Sequence, residues 1–158
     1  TKKDSQGVCF VGPLDMKSYL LSAVKSKKGK ILHVNGNVLG AHDGAAYYTI
    51  GQRHGLDIKD GGGPYYVVSK DIKSNTIMVG PEAALKRTTA TLSKPHWISG
   101  RPAADKRLVA KIRYRTPSVP VRIIGSRISF AKPVRGIAPG QSIVFYQGSV
   151  VLGGAIVS

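Results

Sequence analysis

The nine residues Arg107-Leu108-Val109-Ala110-Lys111-Ile112-Arg113-Tyr114-Arg115 alternate along their length. Leu108, Ala110, Ile112 and Tyr114 fall on one face, and Lys111, Arg113 and Arg115 on the other. That period of two is the pattern of a half-buried strand. Short β-type runs recur around it, at residues 86–92, 121–124, 127–130, 142–146 and 150–157, with turn residues between them. About six short strands with no helix among them predict a small closed antiparallel β-barrel over residues 83–158.

Upstream, the pattern is mixed. Met16, Tyr19, Leu20, Ala23 and Val24 recur at helical spacing behind Asp15, an N-cap residue. This predicts one helix of about three turns after Pro13, ending where Lys25-Ser26-Lys27-Lys28-Gly29 sets cations and a glycine against the negative end of the dipole. Residues 31–39 read as a β-hairpin around Asn35-Gly36, a pair suited to a type I′ turn. Residues 45–50 suggest a third strand. Asp60-Gly61-Gly62-Gly63-Pro64 breaks the pattern, and residues 65–70 then pair with 76–79 across Lys73-Ser74-Asn75. The expected fold is mainly β within an α+β class: a small central domain over 1–82, with one helix and β-hairpins, followed by the barrel over 83–158.

Charge divides at the same place. The chain carries a net charge of +16. Residues 1–82 hold 11 basic and 7 acidic side chains, whereas residues 83–158 hold 13 basic ones and Asp105 alone as an acid. Like charge on a compact module repels itself, and a polyanion relieves that repulsion while releasing its counterions. A nucleic acid is the partner this favours. An anionic membrane surface is the rival, but no basic amphipathic helix is present to lie on one. Lys111, Arg113 and Arg115 make a row that matches a phosphate backbone, although an ordinary solvated strand face would show the same alternation.

Other classes are excluded. No run of about 18 apolar residues occurs, so no segment spans a membrane as a helix, and no apolar stretch follows Lys2 and Lys3 as in a secretory signal. Cys9 is the sole cysteine, so no disulfide forms within the chain, and a reducing, cytoplasmic setting is expected. His33, His42, His54 and His96 do not fall at metal-ligand spacing with Cys9, so no metal site is expected.

Three stretches together resemble the bacterial tRNA-specific 2-thiouridylase family. The first is Lys2-Lys3-Asp4-Ser5-Gln6-Gly7-Val8-Cys9-Phe10-Val11-Gly12. The second is His42-Asp43-Gly44 followed by Tyr47-Tyr48-Thr49-Ile50-Gly51-Gln52-Arg53-His54-Gly55-Leu56. The third joins Lys111-Ile112-Arg113-Tyr114-Arg115 to Pro139-Gly140-Gln141-Ser142-Ile143-Val144-Phe145-Tyr146 and Leu152-Gly153-Gly154. The resemblance implies a three-part protein whose ATP-binding domain is expected upstream of Thr1. This chain has neither that domain's Ser-Gly-Gly-x-Asp-Ser loop nor a Gly-x-x-x-x-Gly-Lys-Ser/Thr motif.

The chemistry it implies is ATP-dependent activation of the wobble uridine of a tRNA, followed by sulfur delivery to C2 from a cysteine persulfide. Cys9 matches the persulfide-bearing cysteine. A second cysteine that helps release the sulfur, and hence any disulfide bond, involves the upstream domain. Arg113, Tyr114 and Gln141 match positions that contact tRNA, with Lys111 and Arg115 flanking them on the basic strand. Gln52 and Arg53 are candidates to support the Cys9 loop, with turn-capping an equal alternative for them. Judged without the resemblance, Cys9 between Val8 and Phe10 reads as a buried small hydrophobe, and Tyr114 as a core ring. The implied partners are the anticodon arm of tRNA, a sulfur-donor protein (a desulfurase or a relay) and the ATP domain. A non-catalytic RNA-binding adaptor and a stand-alone sulfur carrier are the alternative readings.

Overall fold

The structure, a computed structural model, describes residues 27–103, 108–113 and 116–158. The expected helix over 14–24, Cys9, Tyr114 and Arg115 lie outside the described residues.

The first unit is a four-stranded sheet of order β2-β1-β4-β3. Its strands are β1 (Gly29–His33), β2 (Val38–His42), β3 (Tyr66–Asp71) and β4 (Thr76–Gly80). β1 and β2 form the expected hairpin, but its turn is not type I′. Gly36 has a positive φ of 94° and Asn35 does not. The Gly36 N–H donates to the His33 carbonyl at 2.8 Å, and the His33 N–H to Asn37 O at 2.8 Å. The loop is therefore one residue longer than a two-residue turn, and a single glycine supplies the left-handed step. β3 and β4 pair antiparallel as predicted, across a turn in which Asp71 Oδ1 accepts the N–H groups of Lys73 and Ser74.

Two features depart from the sequence reading. β1 and β4 pair in parallel, from Lys30 opposite Thr76 to His33 opposite Val79, so the sheet is mixed instead of hairpins alone. Residues 45–50 do not form a third strand. Ala45–Tyr47 make a 3-10 turn instead. The cause is a tertiary hydrogen bond: Asn75 Oδ1 accepts the Ala45 N–H at 2.9 Å, while His42 Nδ1 accepts the Gly44 N–H at 2.9 Å. Those bonds take backbone donors that a strand would need for a ladder. Ala45, Tyr48 and Leu56 then close over Ile31, Val67, Ile77 and Val79 to form the core of this unit.

The second unit is a closed barrel of order β10-β5-β8-β7-β6-β9. Its strands are β5 (Lys86–Trp97), β6 (Leu108–Lys111), β7 (Val119–Ile124), β8 (Arg127–Arg135), β9 (Ser142–Gln147) and β10 (Val150–Val157). All neighbouring pairs are antiparallel, as the alternation predicts. Closure removes the free edges that a six-stranded open sheet would expose. Inward Leu92, Ala110, Ile112, Ile128, Phe130, Ile143 and Phe145 fill the interior. The strand expected over 107–115 is shorter than predicted. Beyond Lys111 the chain turns, because the Arg113 carbonyl accepts both the N–H and the hydroxyl of Thr116.

A 3-10 turn, Glu82–Leu85, joins the units. Leu85 packs with Tyr66 and Val68 of the first sheet. Arg135, at the end of β8, pairs with Glu82 at 3.1 Å and lies over the Tyr66 ring at 5.3 Å.

Candidate nucleic-acid interface

The strand directions give the barrel two ends. The starts of β5, β7 and β9 and the ends of β6, β8 and β10 lie at the end nearer the first sheet. The β7–β8 and β9–β10 turns lie at the opposite, distal end.

Arg113 and Gln141 both engage the β8–β9 loop at the near end, and Lys111 closes β6 there. Lys111 is exposed and its Nζ lies 5.8 Å from the centroid of the Tyr146 ring. Arg113 is exposed too, and its Nη2 donates to the Gly136 carbonyl at 3.0 Å. Gln141 braces the loop between β8 and β9: its Nε2 donates to Ile112 O at 3.0 Å, and its Oε1 accepts the Ala138 N–H at 3.3 Å. The Gln141 backbone ties the same loop to β10, since its carbonyl accepts the Val157 N–H at 2.8 Å. The side-chain amide is thus engaged on both sides within the fold, whereas the Arg113 guanidinium has one bond to the backbone and keeps further donors. Among the described residues of the barrel there is no carboxylate, since its one acid, Asp105, lies outside them. A surface of that kind can hold a chain of phosphates by charge-assisted hydrogen bonds.

Gln52 and Arg53 sit in the first unit. Gln52 is a turn brace: Oε1 accepts the Thr49 N–H at 3.0 Å and Nε2 donates to His54 O at 2.9 Å. Its carbonyl accepts the Val67 N–H of β3 at 2.9 Å. Arg53 is exposed and borders an open cleft with His54, Asp57, Asp60 and Tyr65.

The Gly61-Gly62-Gly63 run beside that cleft is already occupied by a carboxylate. Asp60 accepts the Gly62 N–H at 3.0 Å and the Tyr65 hydroxyl at 2.7 Å. These bonds hold Asp60 below the usual carboxylate range, chiefly through the Tyr65 hydroxyl, and raise the Tyr65 phenol. A permanent anion where a phosphate would need open amides does not fit ATP. Among the described residues no group of three His, Cys, Asp or Glu side chains comes together to hold a metal. None of their helices is long and apolar enough to cross a membrane.

The sequence reading missed the distal end. There Trp97, Arg101 and Arg122 line one cleft. The available signal was the chain's single tryptophan, four residues before an arginine.

Comparison with known proteins follows the same division. Residues 17–81 match the tRNA methyl transferase PRC-barrel domain, and residues 87–157 match the aminomethyltransferase beta-barrel domain. The chain is 41% identical over 165 residues to a tRNA-specific 2-thiouridylase of Geobacillus kaustophilus, an alignment covering 99% of the chain and 44% of that relative. It is 39% identical over 168 residues to the enzyme of that name from Lacticaseibacillus paracasei, with 99% of the chain and 45% of the relative covered. The Streptococcus mutans protein is 40% identical over 170 residues, again with 99% and 45% covered. The chain therefore spans a little under half the length of these relatives. By two domain matches in order and this identity along nearly its whole length, the chain belongs to the tRNA-specific 2-thiouridylase family, of which it covers the PRC-barrel and β-barrel domains.

Proposed function

We propose that this chain grips tRNA and carries the transferable sulfur of a tRNA-uridine 2-sulfurtransferase that acts at the wobble position. The observation that carries the reading is the alignment of 99% of the chain with proteins named tRNA-specific 2-thiouridylases. The concentration of cations on the barrel supports it, since a tRNA neutralises that charge. Lys111 and Arg113 bind phosphates of the anticodon arm from the near end of the barrel. Gln141 sets the position of the Arg113 loop through Ile112, so its part is to hold the contact in place. Tyr114 and Arg115 extend the same surface. Cys9 takes a sulfane sulfur from a donor protein's persulfide, leaving the donor as a thiol. The Cys9 persulfide attacks C2 of a uridine whose O2 has been adenylated with ATP, and AMP leaves. A second cysteine of the upstream domain then attacks Cys9 Sγ to release the sulfur and form a disulfide, with Gln52 and Arg53 supporting the Cys9 loop. ATP is bound by a separate upstream domain, a reading supported by Asp60 filling the Gly61-Gly62-Gly63 turn. The setting is cytoplasmic, and this chain alone is inactive.

The test is Cys9→Ser in the full-length enzyme. Thiolation of tRNA is abolished while tRNA binding stays within about twofold, a change of under ~0.5 kcal/mol. Retained thiolation would remove Cys9 from the chemistry.

A further inference from the structure

We infer that the distal mouth of the barrel is a second RNA contact, a pocket for one unpaired nucleotide whose base lies on the Trp97 indole and whose phosphate sits between Arg101 and Arg122. A cleft of about 280 Å³ is walled by Trp97, Arg101, Leu108, Arg122 and Ile123. A second cleft of about 160 Å³ shares Trp97, Arg101 and Ile123 with it. The two arginines come from separate elements, the loop after β5 and strand β7, yet line one space. Both residues are exposed, and neither has an ion-pair partner among the described residues.

Trp97 is held in advance. Its ring stacks on Phe145 at 5.2 Å and 27°, and Phe145 is fully buried in the barrel core. A ring fixed this way loses little freedom on stacking, so more of the stacking energy survives as affinity. The wall chemistry selects among anions. A bare phosphate would use the guanidiniums and leave the indole unused, whereas a nucleotide uses both. The clefts hold one nucleotide and are too small for a folded protein segment. The site lies at the opposite end of the barrel from Arg113 and Gln141. The six residues of β9 separate the two ends, about 20 Å at ~3.3 Å per residue. An RNA strand engaging both ends therefore runs along the barrel wall for several nucleotides. This inference rests on the RNA-binding reading above.

Trp97 is the chain's sole tryptophan, so its fluorescence reports this pocket. The 158-residue chain is titrated with tRNA transcript, while anisotropy of the dye-labelled RNA measures binding independently. We expect the tryptophan signal to be quenched in step with binding. The double variant Arg101→Ala/Arg122→Ala loses most of the quench, binds about tenfold more weakly and has a log-log salt slope shallower by about two. Unchanged circular dichroism of that variant shows that it has folded. If RNA binds with the tryptophan signal and the double variant's affinity both unaltered, the pocket is wrong and the RNA-binding reading stands. No RNA binding at all overturns both.

Discussion

The guanidinium of Arg113 and the backbone of Gly136 are mutually dependent: Arg113 Nη2 donates to the Gly136 carbonyl at 3.0 Å, and a Cβ on Gly136 would lie 2.9 Å from that same nitrogen. Gly136 also has a φ of 67°, where L-residues are strained. A glycine with no ionisable atom therefore decides where a cation of the proposed RNA surface points.

Gly136→Ala is expected to destabilise the chain by about 1 kcal/mol or more and to displace Arg113. Tenfold weaker tRNA binding at unchanged net charge is the sign of displacement, about 1.4 kcal/mol. Gly148→Ala is the control, since Gly148 has φ 59° with open space around its Cβ position. It should lose similar stability in a thermal melt while binding tRNA normally. Equal binding by both variants would show that the Arg113 position does not matter.

Arg113→Ala removes the contact outright. Affinity is expected to fall and the salt slope to become shallower by about one, as for a single phosphate contact. An unchanged slope in filter-binding assays between 50 and 200 mM salt, roughly the range over which such contacts show, would assign Arg113 to the fold alone.

Gln141→Ala leaves the Ile112 carbonyl and the Ala138 N–H without their side-chain partner. Both bonds are part-buried, so a loss of about 1–3 kcal/mol is expected in urea unfolding. A loss well below that range would mean that water replaces the amide freely.

His42 gives the chain an acid-sensitive core. It is 3% exposed, its Nδ1 accepts the Gly44 N–H and its Nε2 has no partner among the described residues. Burial is the main cause holding the imidazole below its ordinary value of 6.5, against the raising effect of Asp43 and nearby backbone carbonyls. The folded state thus binds the proton less readily than the unfolded one. Stability is complete above pH 6.5 and is lost as pH falls from there towards the depressed value. Melting temperatures across that range should decline, and His42→Phe should flatten the decline despite its own cost in stability. A parallel decline in both proteins would place the sensitivity elsewhere.

Period-two alternation was enough to find the barrel, because Leu108, Ala110 and Ile112 are all buried and each report the same face. It failed at residues 45–50, where the backbone obeys Asn75, 30 positions away for Ala45. It failed again at β1 and β4, since a parallel pairing leaves no local turn to read. At the candidate interface, Lys111 and Arg113 were legible as cations of one basic run, but the turn that takes Arg113 off the strand was not, nor were their commitments. Nothing in the sequence shows that Gln141 is spent on Ile112, or that Trp97, Arg101 and Arg122 meet at the far mouth of the barrel.

The amino-acid sequence by itself determined the barrel, the separation of charge between the halves and the family. Each of these is a sum over many residues or a pattern of near neighbours along the chain. Only the tertiary structure decided which donors remain free, which glycine steers Arg113 and which side chains share a cleft. Those depend on contacts between residues far apart in sequence, where a displacement of one ångström makes or removes a hydrogen bond.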